Sequence, residues 1–163
     1  MESNTKDDQE GYKTLTITRT FDVPRETVWQ AWTDPEQLSQ WWGPKGVTNP
    51  VCEIDLRVGG IIHVVMLAGP ELGELAGQRW PMKGVFQEIQ APSKLTFKNQ
   101  AIDEAGNRLI DGVTTVVLEE ENGKTKLTLT TTAKAVVPQA EAMIEGMEQG
   151  WTQSIDKLTE FLQ

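Results

Sequence analysis

The stretch QAEAMIEGMEQGWTQSIDKLTEFL, residues 139–162, decides how this sequence folds. At roughly 100° per residue, Ala140, Met143, Ile144, Met147, Trp151 and Ser154, continued by Ile155, Leu158, Phe161 and Leu162, fall within an arc of about 120°. Glu141, Glu145, Gln149, Asp156 and Glu160 fill the opposite side. The spacing predicts one amphipathic helix of roughly 24 residues, about 36 Å long, which matches a twisted sheet rather than a strand pair. Gly146 and Gly150 lie side by side at the edge of the apolar stripe. Each costs about 1 kcal/mol relative to alanine in a helix interior, so close approach of a loop, strand or ligand is expected there in compensation.

Upstream of that helix the period changes from helical to alternating. Leu15, Ile17, Arg19 and Phe21 share one face of a strand and Thr14, Thr16, Thr18 and Thr20 the other. Arg19, alone among apolar residues, needs a partner. Two short helices follow, one from Arg25 to Trp32 and one started by Asp34-Pro35-Glu36-Gln37, where Asp34 caps, Pro35 takes the first helical position and Gln37 closes a capping box. They end at Trp41-Trp42-Gly43-Pro44. Strands are then predicted over Val51–Val58, Ile61–Leu67, Trp80–Gln90, Leu95–Asn99, Val113–Glu120 and Thr125–Thr132. Gly59-Gly60 and Asn122-Gly123 mark hairpin turns, and loops are read at Ala68–Gln78 and around Asp103–Asn107. Residues 1–12 read as a polar, disordered lead-in and 13–163 as a single domain.

The 163 residues suffice for one domain with a sizeable core, and 38% hydrophobic and 24% charged residues are ordinary for a globular chain. A net charge of −9 disfavours nucleic acid and anionic membrane surfaces as partners, since both call for a basic patch. One cysteine, Cys52, excludes an internal disulfide and a cysteine-cluster metal site. No apolar run approaches ~18 residues and the N-terminus lacks the apolar core of a signal peptide, so the expected location is the cytoplasm.

One strand, two helices, six strands and a long helix make an α+β fold with a curved, antiparallel, seven-stranded sheet. Such a sheet curls, and one helix cannot fill its concave face. The remaining space is expected to be an apolar cavity. Its expected lining is Trp41, Trp42, Met66, Trp80, Met82, Phe86 and Phe97 from the loop and sheet, with Met143, Met147, Trp151 and Ser154 from the helix. Ile62, Val64 and Leu95 are further wall candidates. Six tryptophans and five methionines suit a surface that adapts to varied ligands.

The run Arg19-Thr20-Phe21 to Pro24, Val28-Trp29, Trp32-Thr33-Asp34-Pro35, Trp41-Trp42-Gly43-Pro44, Asp55-Leu56-Arg57-Val58-Gly59-Gly60, Met66, Gly84, Glu88-Ile89, Pro92 and Gly146-Met147-Glu148-Gln149-Gly150-Trp151 resembles the Hsp90-ATPase-activator homology family. That family lies within the superfamily of START and birch-pollen-allergen proteins, and the resemblance runs from about residue 14 to the C-terminus. It implies the helix-grip fold, β-α-α-β6-α, with a deep cavity between sheet and helix. It also implies a small bacterial protein that holds a hydrophobic ligand, although superfamily relatives include polyketide cyclases, lipid carriers and resistance proteins. The eukaryotic namesake stimulates a chaperone through a further N-terminal domain, for which this chain has no room, so that role is not expected.

Few polar residues are candidates for chemistry. His63 alternates away from Ile62, Val64 and Met66, and Cys52 shares parity with Ile54 and Leu56 as a small core residue. Glu53, Asp55 and Arg57 share one face, which points either to the cavity or to solvent, and Asp55 is the expected partner of Arg19. Glu88, on the face of Met82 and Phe86, is the one carboxylate expected at the pocket. Ser154 either bonds back to its helix or presents its hydroxyl to a ligand. No nucleotide loop, metal cluster or nucleophile–base pair is present in the sequence. Neither a catalytic residue nor a cofactor is therefore expected. The leading expectation is a binder of a small hydrophobic or aromatic ligand. The alternative is a cyclase- or dehydratase-like enzyme using Glu88 or the Glu53–Asp55–Arg57 group, and homodimerisation is left open.

Overall fold

The computed structural model describes residues 2–7 and 11–163. Residues Glu2–Asp7, expected to be disordered, form strand β1, which pairs antiparallel with Lys13–Phe21 (β2), Glu2 opposite Thr18 and Asp7 opposite Lys13. The cause is backbone chemistry: the outer edge of β2 presents a row of N–H and C=O groups that a polar extended segment can satisfy. The rest of the lead-in, Met1 and residues 8–10, lies outside the described residues.

In β2 the alternation holds. Leu15, Ile17 and Phe21 are buried, whereas the Thr14 hydroxyl on the outer face meets that of Thr132 at 3.0 Å. The chain then crosses through α1 (Arg25–Thr33) and α2 (Pro35–Trp41) to the far side of the sheet. Asp34 caps α2 as expected, accepting from Glu36 N–H at 3.0 Å, and Gln37 reaches its carboxylate at 3.3 Å. Pro35 has no N–H to give to Ala31 O four residues back. The Trp41 indole N–H supplies the missing donor at 2.9 Å.

Six strands return in order: β3 (Val47–Ile54), β4 (Ile61–Ala68), β5 (Arg79–Gln90), β6 (Lys94–Ile102), β7 (Arg108–Glu121) and β8 (Lys124–Ala135). The sheet order is β1-β2-β8-β7-β6-β5-β4-β3, antiparallel throughout. The seven expected strands are thus joined by an eighth, β1. Several boundaries differ from expectation. The first hairpin arm begins at Val47 and stops at Ile54, leaving Asp55–Gly60 as a loop, and β6 and β7 extend to a short turn at Asp103–Asn107. That turn closes because the Asp103 carboxylate accepts from Ala105 N–H and Asn107 N–H, which also holds its pKa below the ordinary value. Asn122 and Gly123 both take positive φ, as the tight turn between β7 and β8 requires.

Register irregularities at Thr48/Val51, Phe86/Glu88 and Ala101/Ile102 bend the sheet around its inner face. The core is built there from rows that cross the strands, such as Phe86–Phe97 and Leu95–Val116–Leu129–Ile17.

The long C-terminal helix is interrupted. A 3-10 turn (Pro138–Ala140) and a short α3 (Glu141–Glu145) precede α4 (Met147–Phe161), with Gly146 at φ −86° and ψ 0° between them. Glycine's low helical preference places the break, and the apolar stripe continues across it. Ile155 and Leu158 in the later half of α4 are fully buried against the sheet. Lys157 donates to Trp42 O at 3.4 Å and Pro44 O at 3.2 Å, and Gln153 accepts from Lys45 N–H at 2.9 Å. Desolvation of its ammonium lowers the Lys157 pKa.

Candidate functional site

Two inner-face rows differ from the rest of the core. One runs Ile62–Gly84–Asn99–Gly112–Ala133 and the other Val64–Met82–Ala101–Ile110–Ala135. Gly84, Gly112 and Ala101 within them carry little or no side chain, so the sheet is shallow where the early half of the helix passes over it. A cavity of about 660 Å³ lies there, within the range of ligand pockets.

From the sheet and the α2–β3 loop, Trp42, Met66, Trp80 and Met82 line this cavity. From the helical segment, Met143, Met147, Trp151 and Ser154 do so. Trp42 and Trp151 meet edge to face with ring centroids 5.3 Å apart. Trp32 stacks behind Trp151 at 6.3 Å, and Trp41 packs edge-on to Trp32 at 4.6 Å. The tryptophan-rich end of the cavity therefore has a rigid backing.

The other expected lining residues sit elsewhere. Trp41, Phe86 and Phe97 are fully buried core, Trp41 as the surrogate donor for Pro35 and the two phenylalanines edge to face at 6.1 Å. Glu88 points away from the cavity, paired with Lys94 at 3.2 Å and hydrogen-bonded to Gln90. The irregularity between Phe86 and Glu88 reverses parity, so Ile89 rather than Glu88 packs inward. Of the wall candidates, Ile62, Val64 and Leu95 are core.

The remaining polar candidates resolve in the same direction. His63 faces outward and lies 3.1 Å from Glu53. Asp55 and Arg57 pair with each other at 2.8 Å in the exposed loop after β3. Arg19 is not partnered by Asp55, because β2 and β3 lie far apart in the sheet order. It donates instead to Asp156 at 2.9 Å and Thr159 at 2.7 Å, tying α4 to β2. Cys52 packs against the core, and burial, reinforced by the Asp34 and Glu53 charges, pushes its thiol up to about 11. Ser154 makes no hydrogen bond back to its helix among the described residues, unlike Thr159, which donates to Ile155 O at 2.9 Å.

Neither helix glycine is closely approached. A Cβ at Gly150 would meet nothing within 4 Å, and one at Gly146 only carbonyls of its own helix, at 3.6 and 3.9 Å. Both line a second hollow of about 480 Å³, shared with Pro44, Leu75 and Trp80 and flanked outside by Lys45 and Glu71. Pro44, Leu75, Trp80, Gly146 and Gly150 line both hollows, so the two adjoin at the glycines.

Several lining residues were not foreseen, among them Gln78, Asn99, Thr131 and Ile110. Gly84 and Gly112 carried the available signal, since glycine inside a strand marks close backbone approach. A Cβ at Gly84 would lie 2.0 Å from Lys98 O. The two glycines are the register partners of Asn99 on either side.

A curved antiparallel sheet gripping a C-terminal helix over an apolar cavity defines a helix-grip protein. Residues 22–163 match the family described as Activator of Hsp90 ATPase homolog 1-like protein, and the chain belongs to that family. A solved structure from Arthrobacter aurescens is 29% identical with a TM-score of 0.78, covering 98% of this chain and 90% of that one. One from Chromobacterium violaceum is 26% identical with a TM-score of 0.76, covering 91% and 96%. A protein of the same family name from Silicibacter pomeroyi is 27% identical with a TM-score of 0.70, covering 90% and 95%. No curated protein matches the chain. Among the described residues, no helix is long and apolar enough to cross a membrane.

Proposed function

We propose that this protein binds a small hydrophobic or aromatic molecule between the sheet and the C-terminal helix, holding it rather than converting it. The observation that carries this reading is the cavity of about 660 Å³ walled by Trp42, Trp151 and methionines from both sheet and helix. Apolar surface left unfilled in a folded core is costly, and a ligand of matching shape recovers that contact. Met66, Met82, Met143 and Met147 can repack around ligands of differing outline. The cyclase-like alternative relied on Glu53, Asp55 and Glu88, whose carboxylates are engaged outside the cavity with His63, Arg57 and Lys94. Native mass spectrometry of freshly purified protein tests the binding reading. A co-purifying small molecule, or a rise in melting temperature with lipids, flavonoids or polyketides, is expected. Bare protein with no shift for any class would refute it.

A further inference from the structure

The nature of the cavity's surface narrows the ligand, an inference that rests on the binding reading above. Among the described residues, every side chain lining the inner cavity lacks an ionisable group. The charged side chains Lys45 and Glu71 border only the outer hollow. Cations that could have served the interior from α4 or β2 are held elsewhere, Lys157 by the carbonyls of Trp42 and Pro44 and Arg19 by Asp156 and Thr159. An ion entering this space would lose its water and gain no counter-charge, which apolar contact does not offset.

The polar side chains that remain are Gln78, Asn99, Thr131 and Ser154, and of these Gln78 lies beside Trp80, whose indole N–H donates to its Oε1 at 3.3 Å. Thr114 Oγ1 donates to Asn99 Oδ1 at 2.9 Å and lies 2.9 Å from Thr131 Oγ1. Thr114 has a single hydroxyl proton, and Asn99 receives it, so the Thr131 hydroxyl is the donor to Thr114. The chain runs from Thr131 through Thr114 to Asn99. It consumes the carbonyl of the Asn99 amide and leaves its N–H groups without an acceptor among the described residues. Gly84 and Gly112 are the register partners of Asn99 on β5 and β7, so neither partner places a side chain directly opposite it. From the helix side, Ser154 lines the same space, and Trp42 and Trp151 present flat faces and edges.

We propose that the cavity selects an uncharged, flat, polycyclic ligand carrying an oxygen acceptor, of the ketone type, which docks on the Asn99 amide. The Asn99 amide on the sheet floor rewards one such acceptor, and the neutral walls reject the corresponding carboxylate. Selectivity between molecules of one shape then comes from charge and from the hydrogen bond to Asn99.

Three probes of one outline test this: fluorene, 9-fluorenone and 9-fluorenone-2-carboxylate, each titrated calorimetrically into the full chain at pH 7. Fluorenone is expected to bind roughly 3- to 10-fold more tightly than fluorene, the span of one net hydrogen bond. The carboxylate is expected to bind at least about 10-fold more weakly than fluorenone. Asn99→Leu should erase the preference for fluorenone over fluorene while fluorene still binds, and Glu53→Gln, outside the cavity, should leave that preference in place. Should Asn99→Leu not fold, the three probes on the unaltered chain decide alone. Equal binding of fluorene and fluorenone, or a carboxylate that binds as well as the ketone, would overturn the ligand class and leave the binding reading intact. Failure of all three to bind would also overturn the ligand class, and the binding reading falls with it only if native mass spectrometry finds bare protein and no lipid, flavonoid or polyketide raises the melting temperature.

Discussion

Gly150→Ala should stabilise the fold, and the size of the gain follows from the space around it. Gly150 lies inside α4, with its N–H bonded to Gly146 O at 3.0 Å, so its backbone is already helical. A methyl group there would meet nothing within 4 Å. The substitution therefore carries the intrinsic helix preference with no packing cost, about 1 kcal/mol. For a domain of this length that is a rise in melting temperature of roughly 2–4 °C, read by circular dichroism. Gly150→Leu should keep most of that gain. Its larger side chain would project into space that Gly150 lines in both hollows, and ligand binding should weaken. A melting temperature that falls on Gly150→Ala would refute the reasoning, because it would mean that something presses on that position.

Gly84→Ala should act in the opposite sense. Its Cβ would sit 2.0 Å from the Lys98 carbonyl oxygen, and separation of β5 from β6 should cost at least about 2 kcal/mol in urea denaturation. Arg19→Ala should destabilise by about 1–3 kcal/mol, since it removes charge-assisted bonds to α4 from a largely buried guanidinium. Asp156→Ala, at the exposed end of the same pair, should cost under about 1 kcal/mol in the same assay. Cys52, raised from the ordinary 9.0 to about 11, should react with a disulfide reagent at pH 8 about 100-fold more slowly than a free thiol. The folded form keeps this proton to about 11 and the unfolded chain only to 9.0, so stability should fall as pH rises between those values. Cys52→Ala should flatten that part of the profile.

Where side chains repeat with an unbroken period, the sequence was a reliable guide. The alternation of Leu15, Ile17 and Phe21, the Asp34-Pro35 restart and the burial of Ile155 and Leu158 appear in the structure as expected, whereas Met143 and Phe161, assigned to the same apolar stripe, are exposed. The walls contributed by Met66, Trp80, Met82, Met147 and Trp151 were legible for the same reason. Glu88 was misplaced because one irregular residue pair shifts a strand's parity without any mark in composition. β1 was missed because its pairing is made by backbone groups and carries no apolar pattern. Asn99 was missed because its importance depends on Gly84 and Gly112, which are distant in sequence and meet it only once the strands are in register.

The break at Gly146 divides the closing helix into two unequal parts, both of which line the chamber, α4 through Met147, Trp151 and Ser154. Downstream, Ile155, Leu158, Lys157 and the Arg19 contacts weld α4 to the sheet and to the α2–β3 loop. Upstream, α3 is five residues long, and Met143 on it remains partly exposed. Exchange of residues 141–147 can therefore reshape the chamber while leaving the weld untouched. A scaffold so divided can change the shape of its chamber without loosening the joint between sheet and helix.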